Sequence, residues 1–349
     1  MVSAAAPSRI LLTQTAFLGD VVLATSLQRC LERELPGADV HWLVRPDAEA
    51  IVAPLVPEGR VLVYAKRAEA RGLSGFLRMS SLLAERRFDA ALAVQRSFRT
   101  AALLWHAGIP TRVGYAGAGG AFFYNHRVPY AGAHARDRMV GLVQGLGLSA
   151  ASPPAPFLSV DAASRDAIEA RLVQTGVGPT ERLLVLAPGS AWATKQWPAR
   201  YFGQAAAELL AGGFDRAIVV GARGDCSLAE EISRACRADQ TQVLDWTGQT
   251  TMAELIALID RASLCLANDS APGHVAGAVD TPLVAVFGPT TPEMGFAPLG
   301  RAVAVVGHAD LECRPCSRHG SAQCLIGTHA CMEDLNPGVV VRAVQQLGL

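Results

Sequence analysis

The sequence predicts an α/β protein of two layered halves, each a parallel sheet covered by helices. Three observations carry that expectation. Short apolar runs rich in strand formers alternate with stretches of helical periodicity along the whole chain. The candidate strands tend to run into a polar turn built from Gly, Ser, Thr or Asp, and helices follow, which is the sequence habit of doubly wound parallel sheets. A Pro- and Ala-rich stretch, residues 150–156, interrupts the alternation near the middle of 349 residues, a length that suits two domains. Half of the residues are hydrophobic and only 18% are charged, enough for two real cores.

In the first half, Arg9 to Thr15 reads as a strand, and Ala16-Phe17-Leu18-Gly19-Asp20 breaks it. Val21 to Leu35 has helical periodicity and ends at Pro36-Gly37. Strands follow at Val40–Val44 and Arg60–Tyr64, a helix at Leu73–Arg86, and a strand at Asp89–Val94. Gln95-Arg96-Ser97-Phe98-Arg99-Thr100 leads into a helix over Ala101–Ala107. Residues 116–137 are Gly-rich and polar and read as a long irregular loop, before a helix at Met139–Leu148. Ligands of parallel sheets bind beyond the carboxyl ends of the strands, and the loop at 16–20 lies at such an end. There Asp20 is either a helix-capping carboxylate or a general base facing a ligand.

The second half repeats the pattern. Asp161 to Thr175 is an amphipathic helix and Leu183–Ala187 a strand. The turn Pro188-Gly189-Ser190 through Lys195-Gln196-Trp197-Pro198 joins a glycine, hydroxyls and a lysine, with Pro198 suited to the first turn of a helix running to Ala211. Lysine in such a turn neutralises phosphate as a point charge. Strands follow at Ala217–Val220, Gln242–Leu244 and Pro282–Phe287, with helices at Ser227–Cys236 and Met252–Arg261. Between them, Cys265 to Ala278 reads as a buried strand end, a tight polar turn at Asn268-Asp269-Ser270, and a helix of small residues. A helix start of this kind either is simply capped by Asp or Ser or holds phosphate on its unpaired N–H groups. The Gly-rich turns of the two halves would line one cleft.

Charge and composition narrow the function. Residues 1–160 hold 17 basic and 11 acidic side chains, and residues 161–349 hold 14 and 20, so the halves carry +6 and −6. The basic half would face something anionic. Nucleic acid is disfavoured, since no dense basic tract with interleaved aromatics occurs. Gly-x-Gly-x-x-Gly and Gly-x-x-x-x-Gly-Lys are both absent, which disfavours a dinucleotide dehydrogenase and a P-loop enzyme. Only two of the 31 basic residues are lysines, Lys66 and Lys195. No apolar run is long enough to span a bilayer and Met1–Ser8 lacks the marks of a signal peptide, so a cytoplasmic protein with reduced thiols is expected. Cys313, Cys316, Cys324 and Cys331 fall within 19 residues, and are either a structural zinc or iron site or a thiol-rich loop.

Four motifs occur together in order: Thr15 to Val22 around Gly19-Asp20; Ala187-Pro188-Gly189-Ser190 with Lys195-Gln196-Trp197-Pro198; Asn268-Asp269-Ser270 with Gly273-His274; and Phe287-Gly288-Pro289-Thr290. With the cysteine-rich tail, they make the chain resemble the ADP-heptose:lipopolysaccharide heptosyltransferases of glycosyltransferase family 9, the type II members most. The resemblance spans nearly the whole chain. It implies a GT-B fold of two Rossmann-like domains, with the acceptor held by residues 1–155, the nucleotide sugar by 156–335, and a final helix at 336–349 packing back across the interface. It implies an inverting transfer of heptose from ADP-heptose to the heptosylated Kdo–lipid A core, with no catalytic metal and with peripheral contact at the cytoplasmic face of the inner membrane.

The resemblance also implies roles. Asp20 would be the general base and Lys195 would offset charge on the departing ADP. Gly19, Ser190, Lys195, Thr250, Asp269, Ser270, Gly273 and His274 would hold the donor. Arg96, Arg99 and Arg112 would bind phosphates and carboxylates of the acceptor, an assignment resting on charge and position. Residues 271–273 are Ala-Pro-Gly, a departure from many members, and the span from Cys316 to Cys324 is longer than usual. A related transferase with a protein acceptor, and a non-catalytic sugar-nucleotide binder, are the competing expectations.

Overall fold

The computed structural model describes residues 7–66, 71–150, 153–237 and 242–349. The chain divides into two compact units, 1–158 and 159–349.

In the first unit the chain runs β1 (Arg9–Gln14), α1 (Leu18–Glu34), β2 (Asp39–Val44), α2 (Glu49–Val52), β3 (Val61–Val63), α3 (Gly72–Glu85), β4 (Ala90–Ala93), α4 (Phe98–His106), β5 (Thr111–Tyr115), β6 (His126–Val128) and α5 (Ala135–Gln144). The strands form one sheet in the order β3-β2-β1-β4-β5-β6, with parallel pairings throughout. Central β1 explains itself: Ile10, Leu11 and Leu12 are fully buried, as befits a parallel strand covered on both faces. Helix α1 buries Val21, Val22, Leu23, Ala24, Leu27 and Leu31, and its Gln28 Oε1 accepts from the Trp42 indole N–H of β2 at 2.7 Å. Each such fully buried large aliphatic side chain stabilises the fold by about 1.5–3 kcal/mol.

The second unit runs α6 (Ala162–Gln174), β7 (Leu183–Ala187), α7 (Ala199–Ala211), β8 (Arg216–Val219), α8 (Cys226–Cys236), β9 (Val243–Asp245), α9 (Met252–Arg261), β10 (Leu264–Asn268), α10 (Ala271–Ala278), β11 (Leu283–Phe287), β12 (Val303–Gly307), α11 (Ala330–Glu333) and α12 (Pro337–Gln346). Its strands are ordered β12-β11-β10-β7-β8-β9, also with parallel pairings. Every residue of β7, β10 and β11 is buried. Helix α12, capped by Asn336 Oδ1 accepting from the Gly338 N–H at 2.8 Å, buries Val340, Ala343 and Val344 in this unit's core with α7.

Each sheet therefore has the order 3-2-1-4-5-6 when counted within its own unit. In such sheets successive crossovers turn opposite ways from the first strand, and a crevice opens at the carboxyl ends of strands 1 and 4. Those ends are β1 and β4 in the first unit and β7 and β10 in the second.

Four expectations change. Residues 116–137 are not wholly irregular: they contain a 3-10 turn at Ala121–Phe123, strand β6 and the start of α5. Strand β12 fills the other sheet's edge, and β5 lies inside the first sheet, where no strands were expected. Strands β6 and β12 are edge strands. In β6 only Val128 is buried, so no apolar run marks it. Helix α4 starts three residues earlier than expected, because Ser97 caps it through an Oγ that accepts from the Thr100 N–H at 3.3 Å.

Candidate active site

In the second unit the switch point is built from two turns. The turn after β7 closes in a 3-10 turn, Ala193–Lys195, before α7. The turn after β10 is Asp269-Ser270, before α10. Asn268, fully buried, stitches them: its Nδ2 donates to the Pro188 carbonyl at 2.6 Å, and its Oδ1 accepts from the Trp197 N–H at 3.1 Å. Lys195 Nζ then reaches Asp269 Oδ2 at 2.5 Å, and Thr290 Oγ1 donates to the same oxygen at 2.6 Å. Only about a tenth of either ion-pair side chain is exposed, at 13% for Lys195 and 9% for Asp269. So an ammonium, a carboxylate and a hydroxyl meet where the carboxyl ends of β7, β10 and β11 converge. Ion pairs this sheltered hold their geometry and are weakly screened by salt.

The cysteine-rich tail braces this cluster. Thr194 Oγ1 donates to the Ser321 carbonyl at 2.9 Å and accepts from the Ser321 N–H at 2.8 Å. The Thr194 carbonyl lies 2.8 Å from His329 Nε2. Gly320 has φ +90°, and a Cβ there would lie 2.8 Å from Trp192 Cβ and 3.1 Å from Lys195 Cγ. Only glycine allows the tail to press against the lysine turn. Arg314 donates to the carbonyls of Gly288 (2.5 Å), Phe287 (3.1 Å) and Thr290 (3.3 Å), fixing the turn that presents Thr290.

The structure gives no support to a metal at the four clustered cysteines. Among the described residues no group of three or more His, Cys, Asp or Glu is placed to hold a metal ion. Cys331 is buried in the second unit's core, and burial, reinforced by the neighbouring thiols, pushes its pKa up to about 11. Cys324 sits near the surface, where backbone N–H groups, that of His329 first, hold its thiol below the usual value.

Of the expected donor residues, the structure brings Lys195 and Asp269 together. Ser190 lies in the same turn, its carbonyl accepting from Gln196 Nε2 at 3.3 Å. Ser270 is the N-cap residue of α10, with Gly273 and His274 buried in that helix. Thr250 is not part of this group: it follows β9, the edge strand three places from β10, and precedes the Thr251–Glu254 capping box of α9. Thr290 and Arg314 were not assigned roles from sequence. Thr290 stands in a quoted motif, but its partner is 21 residues away.

In the first unit Asp20 is half-buried in the first turn of α1, at the carboxyl end of β1, with Gly19 buried beside it. A carboxylate is favoured there by the helix dipole. A polar network holds the loop leading to it. Gln95 Nε2 donates to Thr15 Oγ1 and Thr100 Oγ1, both at 2.5 Å, and Gln95 Oε1 accepts from the Thr15 N–H at 3.1 Å. Lys66 Nζ donates to Thr15 Oγ1 at 3.0 Å, and Arg45 Nη1 to the Ala16 carbonyl at 3.3 Å.

The three arginines separate. Arg96 and Arg99 follow β4, on the Asp20 edge of the sheet; Arg99 donates to Tyr64 Oη at 2.7 Å and Arg96 to the Gly117 carbonyl at 2.6 Å. Arg112 lies on β5 opposite Ala91, level with Leu11 and toward the amino edge. Its guanidinium donates to the carbonyls of Phe123 (2.8 Å) and Ile109 (2.5 Å), and burial holds its pKa below the ordinary value.

Known proteins resemble this chain in sequence and in fold. The profile described as glycosyltransferase family 9 (heptosyltransferase) matches residues 76–325. The chain is 27% identical over 283 residues to lipopolysaccharide heptosyltransferase 3 of Escherichia coli, covering 78% of this chain and 82% of that one. It is 28% identical over 320 residues to lipopolysaccharide heptosyltransferase 1 of Pseudomonas aeruginosa, covering 88% and 86%. The solved structure of E. coli ADP-heptose lipopolysaccharide heptosyltransferase II superposes with a TM-score of 0.78 at 22% identity, over 97% of this chain and 98% of that one. With a family profile matched over more than two thirds of its length, on two parallel six-stranded sheets of the same α/β fold, the chain belongs to glycosyltransferase family 9, the heptosyltransferases.

Proposed function

We propose that this glycosyltransferase moves L-glycero-D-manno-heptose from ADP-heptose to the heptosyl-Kdo–lipid A inner core of lipopolysaccharide, with inversion at the anomeric carbon. The observation that carries the reading is the Lys195–Asp269–Thr290 cluster at the switch point of the second unit, where parallel sheets hold nucleotide phosphates.

The acceptor hydroxyl oxygen attacks the anomeric carbon, and the bond from that carbon to the diphosphate breaks, its electron pair leaving on ADP. The hydroxyl proton passes to the Asp20 carboxylate. The Lys195 ammonium, already fixed by Asp269, offsets the charge that grows on the leaving diphosphate, without reorganising to do so. Both bonds recorded to Asp269 fall on Oδ2, and Oδ1 is the atom assigned to the heptose hydroxyls. Ser190, Ser270, Gly273 and His274 flank the diphosphate. Arg96 and Arg99 contact acidic groups of the acceptor, whereas Arg112 serves the loop it holds. A lipid-linked acceptor makes the enzyme peripheral at the inner membrane's cytoplasmic face; among the described residues no helix is long and apolar enough to cross a membrane. No step calls for a metal.

The test is ADP release from ADP-heptose with three acceptors offered in parallel: heptosylated Kdo–lipid A, Kdo–lipid A without heptose, and a protein acceptor. Release that depends on the heptosylated core supports the reading. Release with either of the others alone moves the enzyme to another step or another acceptor class, and donor binding without release under any of the three marks a sugar-nucleotide binder.

A further inference from the structure

Residues 90–135 contain four arginines and no Asp or Glu. Within this stretch four aromatic rings form one surface. Phe98, Trp105 and Phe122 are each more than half exposed, at 55%, 54% and 64%. They are contiguous through Phe123: ring centroids lie 6.0 Å apart for Phe98–Phe122, 5.6 Å for Phe98–Phe123, 5.3 Å for Trp105–Phe123 and 4.2 Å for Phe122–Phe123. Single exposed rings are ordinary, but a joined set of four is not.

The surface is built by the backbone. Phe98 and Trp105 project from α4, and Phe122 and Phe123 from the 3-10 turn after β5. Gly120 lets that turn lie on α4, since a Cβ there would stand 2.6 Å from Ala101 Cβ. Guanidinium groups rim it. Arg127 Nε donates to the Tyr124 carbonyl at 3.4 Å, and exposed Arg96 to the Gly117 carbonyl. Phe98 begins α4 directly beyond the carboxyl end of β4, so the surface starts at the same sheet edge as the Asp20 loop.

We infer that this aromatic face, ringed by arginines, docks on an anionic lipid bilayer. Aromatic rings settle at headgroup depth, and arginines with no carboxylates among them take lipid phosphates as counterions. Docked there, the unit would present its Asp20 edge to an acceptor anchored in the same bilayer; in that one respect the inference rests on the lipid-linked acceptor proposed above.

The test is co-sedimentation of the full chain with vesicles of phosphatidylcholine, with and without phosphatidylglycerol, for wild type, F98S/F122S and the single variant F122S. F122S, at the most exposed ring, guards against misfolding of the double variant. Wild type should bind the anionic vesicles, and each added salt increment should weaken binding. F98S/F122S should bind at least roughly tenfold more weakly and F122S less so, with transfer to a delipidated, water-soluble acceptor unchanged in both. Equal binding by the variants, or no anionic-vesicle binding by wild type, overturns the inference. So does a wild-type dimer in light scattering that F122S converts to monomer, which would give the face to a second copy. If the soluble acceptor is not used while vesicle binding still depends on Phe122, the acceptor reading fails and the docking surface stands.

Discussion

Lys195 is one of two lysines in the chain, and its ammonium lies at the second unit's switch point against Asp269. Removing it as Lys195→Met should lower kcat by about 10²-fold or more, because one fixed electrostatic donor to a leaving group is worth that much. Lys195→Arg should not restore it, since a planar fork cannot occupy the place of a compact ammonium against Asp269. Steady-state kinetics with ADP-heptose check both. A Lys195→Met enzyme within a few-fold of wild type would place the phosphate elsewhere. Lys195 and Asp269 were legible in the sequence as turn residues after apolar runs. Their mutual bond was not, because it spans 74 residues and depends on strands β7 and β10 lying side by side. Arg112 shows the opposite failure. Charge and position suggested a ligand contact, but its guanidinium is taken up by local carbonyls.

At the scale of elements, the central strands β1, β7 and β10 and the edge strands β3 and β9 were readable, whereas inner β5 and the edge strands β6 and β12 were not. Strands β1, β7 and β10 are buried on both faces and so appear as unbroken apolar runs. Strand β6 spans three residues, two of them exposed, and leaves no such trace. The tail's role was likewise hidden. Its cysteines drew attention to metal, whereas Ser321 and His329 brace Thr194 through polar contacts and Gly320 packs against the lysine turn. Thr194→Val removes two of those bonds while keeping the volume. It should reduce kcat about tenfold or more, with little change in the melting temperature, because a small shift of Lys195 is costly to catalysis. Unchanged kcat would mean that the turn holds its shape without the tail.

At the scale of the molecule, acid should undo the first unit early. Burial, outweighed by bonds to His41 and Arg9 and the charge of Arg60, leaves the Asp39 carboxyl below the usual range. Asp89 is held lower too, by Ser8 Oγ and the backbone N–H groups of Ser8 and Arg9, which tie the start of β1 to β4 at 2.7–2.9 Å. Burial holds His41 neutral, below its ordinary 6.5. All three groups bind protons more readily when unfolded, so the stability they contribute is present at neutral pH and lost as pH falls. His41 acts first, below 6.5, and the carboxylates act below their unfolded value of 3.8. Melting temperature should therefore decline on acidification, and Asp89→Asn should flatten the lowest part of that decline. A melting temperature that rises toward acid pH would contradict this.

The central claim is that Asp20 takes the acceptor's proton in a transfer whose donor is held by Lys195 and Asp269. The most direct measurement is the acceptor-dependent rate of ADP release for wild type and Asp20→Ala, alongside ADP-heptose binding by each. The account predicts a loss of roughly 10²–10⁴ in rate with donor affinity unchanged, the range that a positioned general base supplies. An Asp20→Ala enzyme that releases ADP at the wild-type rate, with the same dependence on acceptor, would contradict it.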